Sequence, residues 1–218
     1  MDGRMPKREY AYQKIRNAIT YGELKPGERL VEKRLCEMFK VGRTPLREAL
    51  SQLQIEGYLD FTQNKGTTIT RMSIQSVKEI YDTIALLEGY ATELATKNLN
   101  TSDKKQLHLI LNNLRKICNS NDHKKWLDEN SVFHEYLVKA SGNSLLHTLV
   151  ASLRNRIYRY RLISLTIHDS LLHYCQAHEE ILEAISKKDG KRAGKKMQRH
   201  VLGIAKQSVE LLEKLPAL

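Results

Sequence analysis

The feature that most constrains this chain is a change of punctuation near Ser76. Before it, glycines and prolines cut the sequence into pieces that allow only small elements; after it, helical periodicity runs almost to the end. In the first part, Tyr12, Ile15, Ala18 and Ile19 recur at helical spacing and predict a helix over about Glu9–Tyr21. "GELKPGERL" stops it, because Gly22, Pro26 and Gly27 do not continue a helix. A second short helix over about Val31–Phe39 turns Leu35 and Met38 or Phe39 inward. After "KVGR" a third runs over about Pro45–Glu56, with Thr44 as its cap and Pro45 at the first position, where no amide donor is needed. Gly57 ends it. In "YLDFTQNKGTTITR", Leu59 and Phe61, then Thr68 and Thr70, flank the polar turn "QNKG", which predicts a two-stranded hairpin. Three small helices and a hairpin with Lys65 at its tip make a winged helix-turn-helix over residues 1–72.

The second part reads differently. "SVKE" fits a capping box, with Ser76 covering an amide three residues on and Glu79 reaching back. An apolar stripe follows through Val77, Ile80, Ile84, Leu87, Ala91 and Leu94. Further helices are expected over about 102–118, 125–141, 143–167, 170–187 and 189–214, separated by "NLNTSD", "NSNDH", "SGN" and "KKDG". The expected architecture is therefore mainly α: a winged helix-turn-helix with a small β-hairpin, a short hinge near Met72–Gln75, and an all-α antiparallel bundle over residues 76–218.

Charge narrows the partners. The formal net charge is +11, which favours a polyanion, and residues 1–75 hold fourteen Lys/Arg against nine Asp/Glu. No apolar run is long enough to span a membrane, and "MDGRMPKREY" lacks the apolar core of a secretion signal, so a cytoplasmic protein without a membrane partner is expected. Cys36, Cys118 and Cys175, three in number and far apart in sequence, fit reduced and mostly buried thiols better than a disulfide framework.

The stretch "VGRTPLREAL" carries the DNA-reading chemistry. Leu46, Ala49, Leu50 and Leu53 form one face of the third helix, whereas Arg43 and Arg47 emerge from its N-terminal end. That end of a recognition helix enters the major groove, where phosphates and guanine edges present acceptors, and its free amides attract phosphate as well. Lys33, Arg34 and Lys65 are candidates for phosphate or minor-groove contacts. The segment "LKPGERLVEKRLCEMFKVGRTPLREALSQLQIEGYLDFTQNKGTTIT" resembles the winged-helix domain of the GntR transcription regulators. Its "GRTPLREAL" is similar to that family's S-R-T-P-V-R-E-A-L core, with Gly42 in place of the usual serine. The resemblance implies that Arg43 and Arg47 read DNA, that Thr44 touches phosphate or base, and that Gly66 is the wing glycine. It sets Lys33 where arginine is often found; lysine keeps the charge without the bidentate fork, which suits phosphate better than a base.

Several histidines of the second part lie on apolar stripes. Asn130 and His134 stand four apart on the face of Leu127 and Leu137, His178 lies between Cys175 and Leu182, and His200 between Met197 and Ile204. One such histidine is usually a satisfied core residue, but three on different helices suit a shared inner site that can hold zinc, nickel or manganese. The pattern "NSVFH…AHEEILEAI…MQRHV" is also similar to the C-terminal FCD domain of the FadR-type branch of GntR regulators, over residues 76 to 213. In many members an Asp-x-x-x-His pair and two later histidines bind a metal that helps hold a small carboxylate effector. The resemblance thus implies a divalent ion at Asn130, His134, His178 and His200, with Asn130 a weaker, uncharged ligand at the aspartate position. It also exposes a gap: Ile84 stands where the family often has an effector-binding arginine, four residues before Glu88. Arg154, Arg156, Arg159 and Arg161 in "RNRIYRYR" are the candidates to meet a carboxylate instead, interleaved with Tyr158 and Tyr160. His108, His123, His147, His168 and His173 match no such pattern and are read as structural.

The resulting expectation is a homodimeric, effector-responsive transcription repressor that binds double-stranded operator DNA. Two alternatives stay open: a regulator whose effector is the ion itself, and a metalloenzyme with a DNA-binding appendage. Neither a GxSxG nor an HExxH motif supports the latter.

Overall fold

The computed structural model describes residues 5–62, 66–118, 120, 122–167 and 171–214. Lys65 and His168 lie outside them. The chain divides into two compact units, with the boundary between Met72 and Ser73.

In the first unit α1 spans Lys7–Thr20, α2 Glu32–Phe39 and α3 Arg43–Ile55, and β1 (Leu59–Thr62) pairs antiparallel with β2 (Gly66–Ile69). The helical stripes meet as the periodicity predicts: Ile15, Leu35, Leu46, Ala49, Leu53 and Leu59 are at most 2% exposed and share one core. The hairpin has a partner that sequence reading passed over. Leu30 N–H donates to Thr67 O at 2.9 Å, Ile69 N–H to Glu28 O at 3.0 Å, and Gly27 N–H to Ile69 O at 2.8 Å. The glycine- and proline-rich segment before α2 therefore lies along β2 as an additional extended piece, with Arg29 opposite Thr68.

Two helix caps differ from expectation. α3 begins at Arg43 with Gly42 as its N-cap and no side-chain cap bond. Thr44 is thus inside the helix and Pro45 is its third residue; a proline is tolerated anywhere in the first turn, so it does not mark the first position. The second start is set by Ser73, whose Oγ accepts from Ser76 N–H at 3.0 Å. Glu79 accepts from Gln75 at 2.9 Å rather than reaching back to the helix start. Two serines three residues apart both suit a cap, and the upstream one wins because Ile74 and Gln75 then join the helix. The non-helical connection is consequently residues 70–73, and Gln75 is not part of it.

The second unit is all helical among the described residues: α4 Ile74–Asn98, α5 Thr101–Cys118, α6 His123–Ala140, α7 Ser144–Ile167, α8 Leu171–Ser186 and α9 Gly190–Lys214. Helix α4 packs along α9 and also touches α6 and α7, while α5 and α8 close the other side against α6 and α9 respectively. The α4–α9 seam is close because glycines line it: a Cβ on Gly194 would stand 2.6 Å from Gly89 O. Tyr81 and Ser208, both buried, join the same two helices by a 2.9 Å hydrogen bond. Cys118 and Cys175, remote in sequence, meet as free thiols with their sulfurs 3.6 Å apart. No described helix is long and apolar enough to cross a membrane.

Candidate functional site

The first candidate surface is the N-terminal end of α3. Its apolar positions Leu46, Ala49, Leu50 and Leu53 are buried, which forces Arg43, Thr44 and Arg47 outward, and all three are exposed. Two of the candidate cations already have partners within the unit. Arg47 Nε donates to both carboxylate oxygens of Glu32 at 3.0 Å, and Arg34 Nη1 donates to Glu28 Oε1 at 3.0 Å. Both arginines remain more than 60% exposed, so these are solvent-screened pairs that a stronger polyanion displaces at little cost. Lys33 is exposed on α2. Gly66 opens β2 with φ +75°, a conformation that side chains disfavour, and lies beside the guanidinium of Arg29. Arg29, exposed, is a cation of this surface that the sequence reading did not single out.

The second candidate lies inside the helical unit. Helix α6 supplies Asn130 and His134, α8 supplies His178 and α9 supplies His200, and the structure brings all four to buried positions. His178 Nε2 stands 3.3 Å from His134 Nε2 and 3.1 Å from His200 Nε2. One ring nitrogen from each histidine can be chosen so that all three lie within 4.8 Å of one another. Phe133 packs on His178 at 4.5 Å between ring centroids and edges His134 at 5.7 Å.

Burial sets the protonation. Loss of hydration holds His134 and His178 well below the ordinary imidazole value and brings His200 down to about 3, with Arg154, Arg161 and the other imidazoles opposing further charge. The rings are therefore neutral, the form that ligates metal ions. A residue outside the sequence-derived set fixes which nitrogen does so. Glu88, on α4 and fully buried, meets His134 Nδ1 at 2.6 Å. A carboxylate only accepts, so Nδ1 carries the hydrogen and Nε2 turns its lone pair toward the other two rings. Glu88 stands four residues after Ile84 on the apolar face of α4; a carboxylate interrupting a buried stripe was the available signal.

The residues fit an ion. Three neutral imidazoles converge, and neither the Oδ1 nor the Nδ2 of buried Asn130 has a hydrogen-bond partner among the described residues. A buried carboxamide in that state is costly unless something ligates or bridges it.

The arginines of α7 separate into two pairs. Arg154 and Arg161, seven residues apart on one face, line a cavity of about 240 Å³ together with Ser131, Val138, His147 and Tyr158. Arg156 and Arg159 do not line it, because positions two and five residues on from Arg154 point to other sides of the helix; both are half-buried. Arg154 Nη1 donates to Glu88 Oε1 at 2.5 Å, while its Nη2 is buried without a partner among the described residues. Arg161 is 4% exposed and forms no ion pair with a described carboxylate. Burial, with Arg154 nearby, lowers it to about 10, which leaves it cationic at neutral pH.

Comparison with known proteins matches each unit. Residues 7–69 fit the profile described as "Bacterial regulatory proteins, gntR family", and residues 79–203 fit that of the FCD domain. The Bacillus subtilis HTH-type transcriptional regulator YdhC, itself uncharacterized, is 30% identical over 195 residues, which are 88% of this chain and 84% of that protein. The Escherichia coli HTH-type transcriptional repressor GlaR is 28% identical over 199 residues, covering 88% of this chain and 90% of GlaR. The solved structure of E. coli McbR/YncC superposes with a TM-score of 0.79 at 23% identity, covering 97% of this chain and 99% of that one, which establishes a shared fold. The chain belongs to the GntR family of bacterial transcription regulators, carries an FCD domain, and is a regulator rather than an enzyme.

Proposed function

We propose that the chain is a cytoplasmic, homodimeric repressor of the FadR-type branch whose helical unit binds a small organic acid beside a divalent metal ion. The observation that carries this reading is Arg161, a buried guanidinium facing a cavity without a carboxylate partner among the described residues. Such a charge is costly in the interior unless an anion joins it. Arg154 and Arg161 supply the donors, and a carboxylate of a compact acid satisfies both geometry and charge. His134, His178 and His200, with the Asn130 carboxamide oxygen, are the residues that hold the ion (zinc, nickel or manganese), which supplies a positive anchor for a ligand oxygen.

On the DNA side, Arg43, Thr44 and Arg47 read the major groove, Lys33, Arg34 and Lys65 hold phosphates, and Gly66 shapes the wing. A dimer fits because one small recognition helix gives limited specificity, and two-fold symmetry doubles its contacts on a pseudo-palindromic site. The acid regulates only if it favours one arrangement of the two units over the others. The test is fluorescence anisotropy on a duplex selected from a random library, with small mono- and dicarboxylates added to metal-loaded protein. An acid that shifts affinity in wild type but not in Arg161→Met supports the proposal. A shift produced by the ion alone, with no response to any acid, favours a metal sensor instead.

A further inference from the structure

Glu88 faces two sites at once. One carboxylate oxygen meets His134 Nδ1 at 2.6 Å and the other meets Arg154 Nη1 at 2.5 Å. The carboxylate is buried and Arg154 is 12% exposed at the cavity wall, so the chain imidazole–carboxylate–guanidinium runs from the histidine cluster to the anion cavity. Among the described residues no second acid pairs with either His134 or Arg154. The two basic groups therefore share a single acceptor.

We infer that Glu88 is a positioning residue that couples the two sites: what Arg154 does at the cavity sets how strongly Glu88 holds His134, and so how well His134 binds an ion. The inference rests on the ion and anion reading above. While Arg154 draws on Glu88, less of the negative charge serves the imidazole. A carboxylate taken up at Arg154 and Arg161 offers the guanidinium another acceptor and leaves Glu88 to His134, which makes the ring nitrogen facing the cluster a better donor. The same anion offsets two cationic side chains beside the cluster. Both effects have one sign, so anion and ion strengthen each other, and the coupling is reciprocal by linkage.

The experiment is zinc affinity by chelator competition on the full-length protein, with zinc alone as the probe. Glu88→Gln is expected to lower affinity by about 10- to 100-fold, as loss of a partner behind a ligating histidine does. Arg154→Met is expected to raise it, and Arg154→Lys to leave it near wild type. Direct repulsion between the guanidinium and the ion persists without Glu88, so only the non-additive part belongs to the coupling. In the Glu88→Gln background the Arg154→Met gain should therefore shrink. Equal gains in both backgrounds, or a Glu88→Gln protein that binds zinc like wild type, would overturn the inference. If Glu88→Gln fails to fold, the same cycle is run with Glu88→Asp, whose shorter carboxylate does not reach both partners, and an Arg154→Met gain equal to that in wild type would sink the inference. Failure of wild type to bind zinc or any other divalent ion removes the underlying metal reading instead, so the two failures are distinct.

Discussion

Arg47 is engaged by Glu32 in the free protein, so on our reading DNA binding is an exchange of partners rather than the capture of an idle cation. Arg47→Ala is expected to weaken binding to a selected operator by about 1–3 kcal/mol if the guanidinium makes a bidentate base contact. Glu32→Gln should act the other way, strengthening binding to all duplexes and narrowing the gap between operator and random DNA. Anisotropy on both duplexes at one salt concentration reads both effects, and an operator preference retained in Arg47→Ala would take that residue out of the reading set. At the histidine cluster the informative residue is Asn130, whose side chain lacks a protein partner among the described residues. Asn130→Asp puts a charged oxygen at the same place and should tighten zinc binding in chelator competition. No change would mean that the carboxamide does not face the ion. Asn130 and the three histidines were legible because four-residue spacing and apolar stripes place them inward. Glu88 was not, since an acid on a stripe announces burial without naming its partners.

The helices α4 and α9 approach closely because small residues permit it. Gly194 lies against the Gly89 backbone, and Gly89 in turn has the Gln198 side chain where its own Cβ would be. Gly194→Val should force the helices apart and cost about 1–3 kcal/mol, as overpacking of a filled interior does. Urea unfolding measures it, and an unchanged midpoint would mean that the seam relaxes freely. The same scale shows what periodicity can and cannot specify. Every helix was legible, since a buried stripe must recur at the helical period, but the start of α3 shifted by two residues and that of α4 by three among competing caps. The extended segment at residues 27–30 was hidden because its order comes from hydrogen bonds to β2, not from its own composition.

At the scale of the whole molecule, the neutral cluster imposes a pH dependence. Burial holds His134 and His178 well below their ordinary value and His200 at about 3. The unfolded chain takes up these protons as pH falls below about 6.5, whereas the folded chain resists them, so stability is full above that pH and declines toward about pH 3. Metal-stripped protein should therefore unfold at lower urea at about pH 5 than at about pH 7.5. An unchanged midpoint would show that the histidines titrate as freely in the folded state as in the unfolded one. By itself the sequence determined the helical content, the place where the texture changes, and which face of every helix but α5 and α7 is buried, because stripes and breakers act over a few residues. Only tertiary structure decided that Arg154 and Arg161, and not Arg156 or Arg159, line the cavity, and that Glu88 serves both a histidine and an arginine. Those contacts join residues 46 and 66 positions apart, and such distances close only when helices pack.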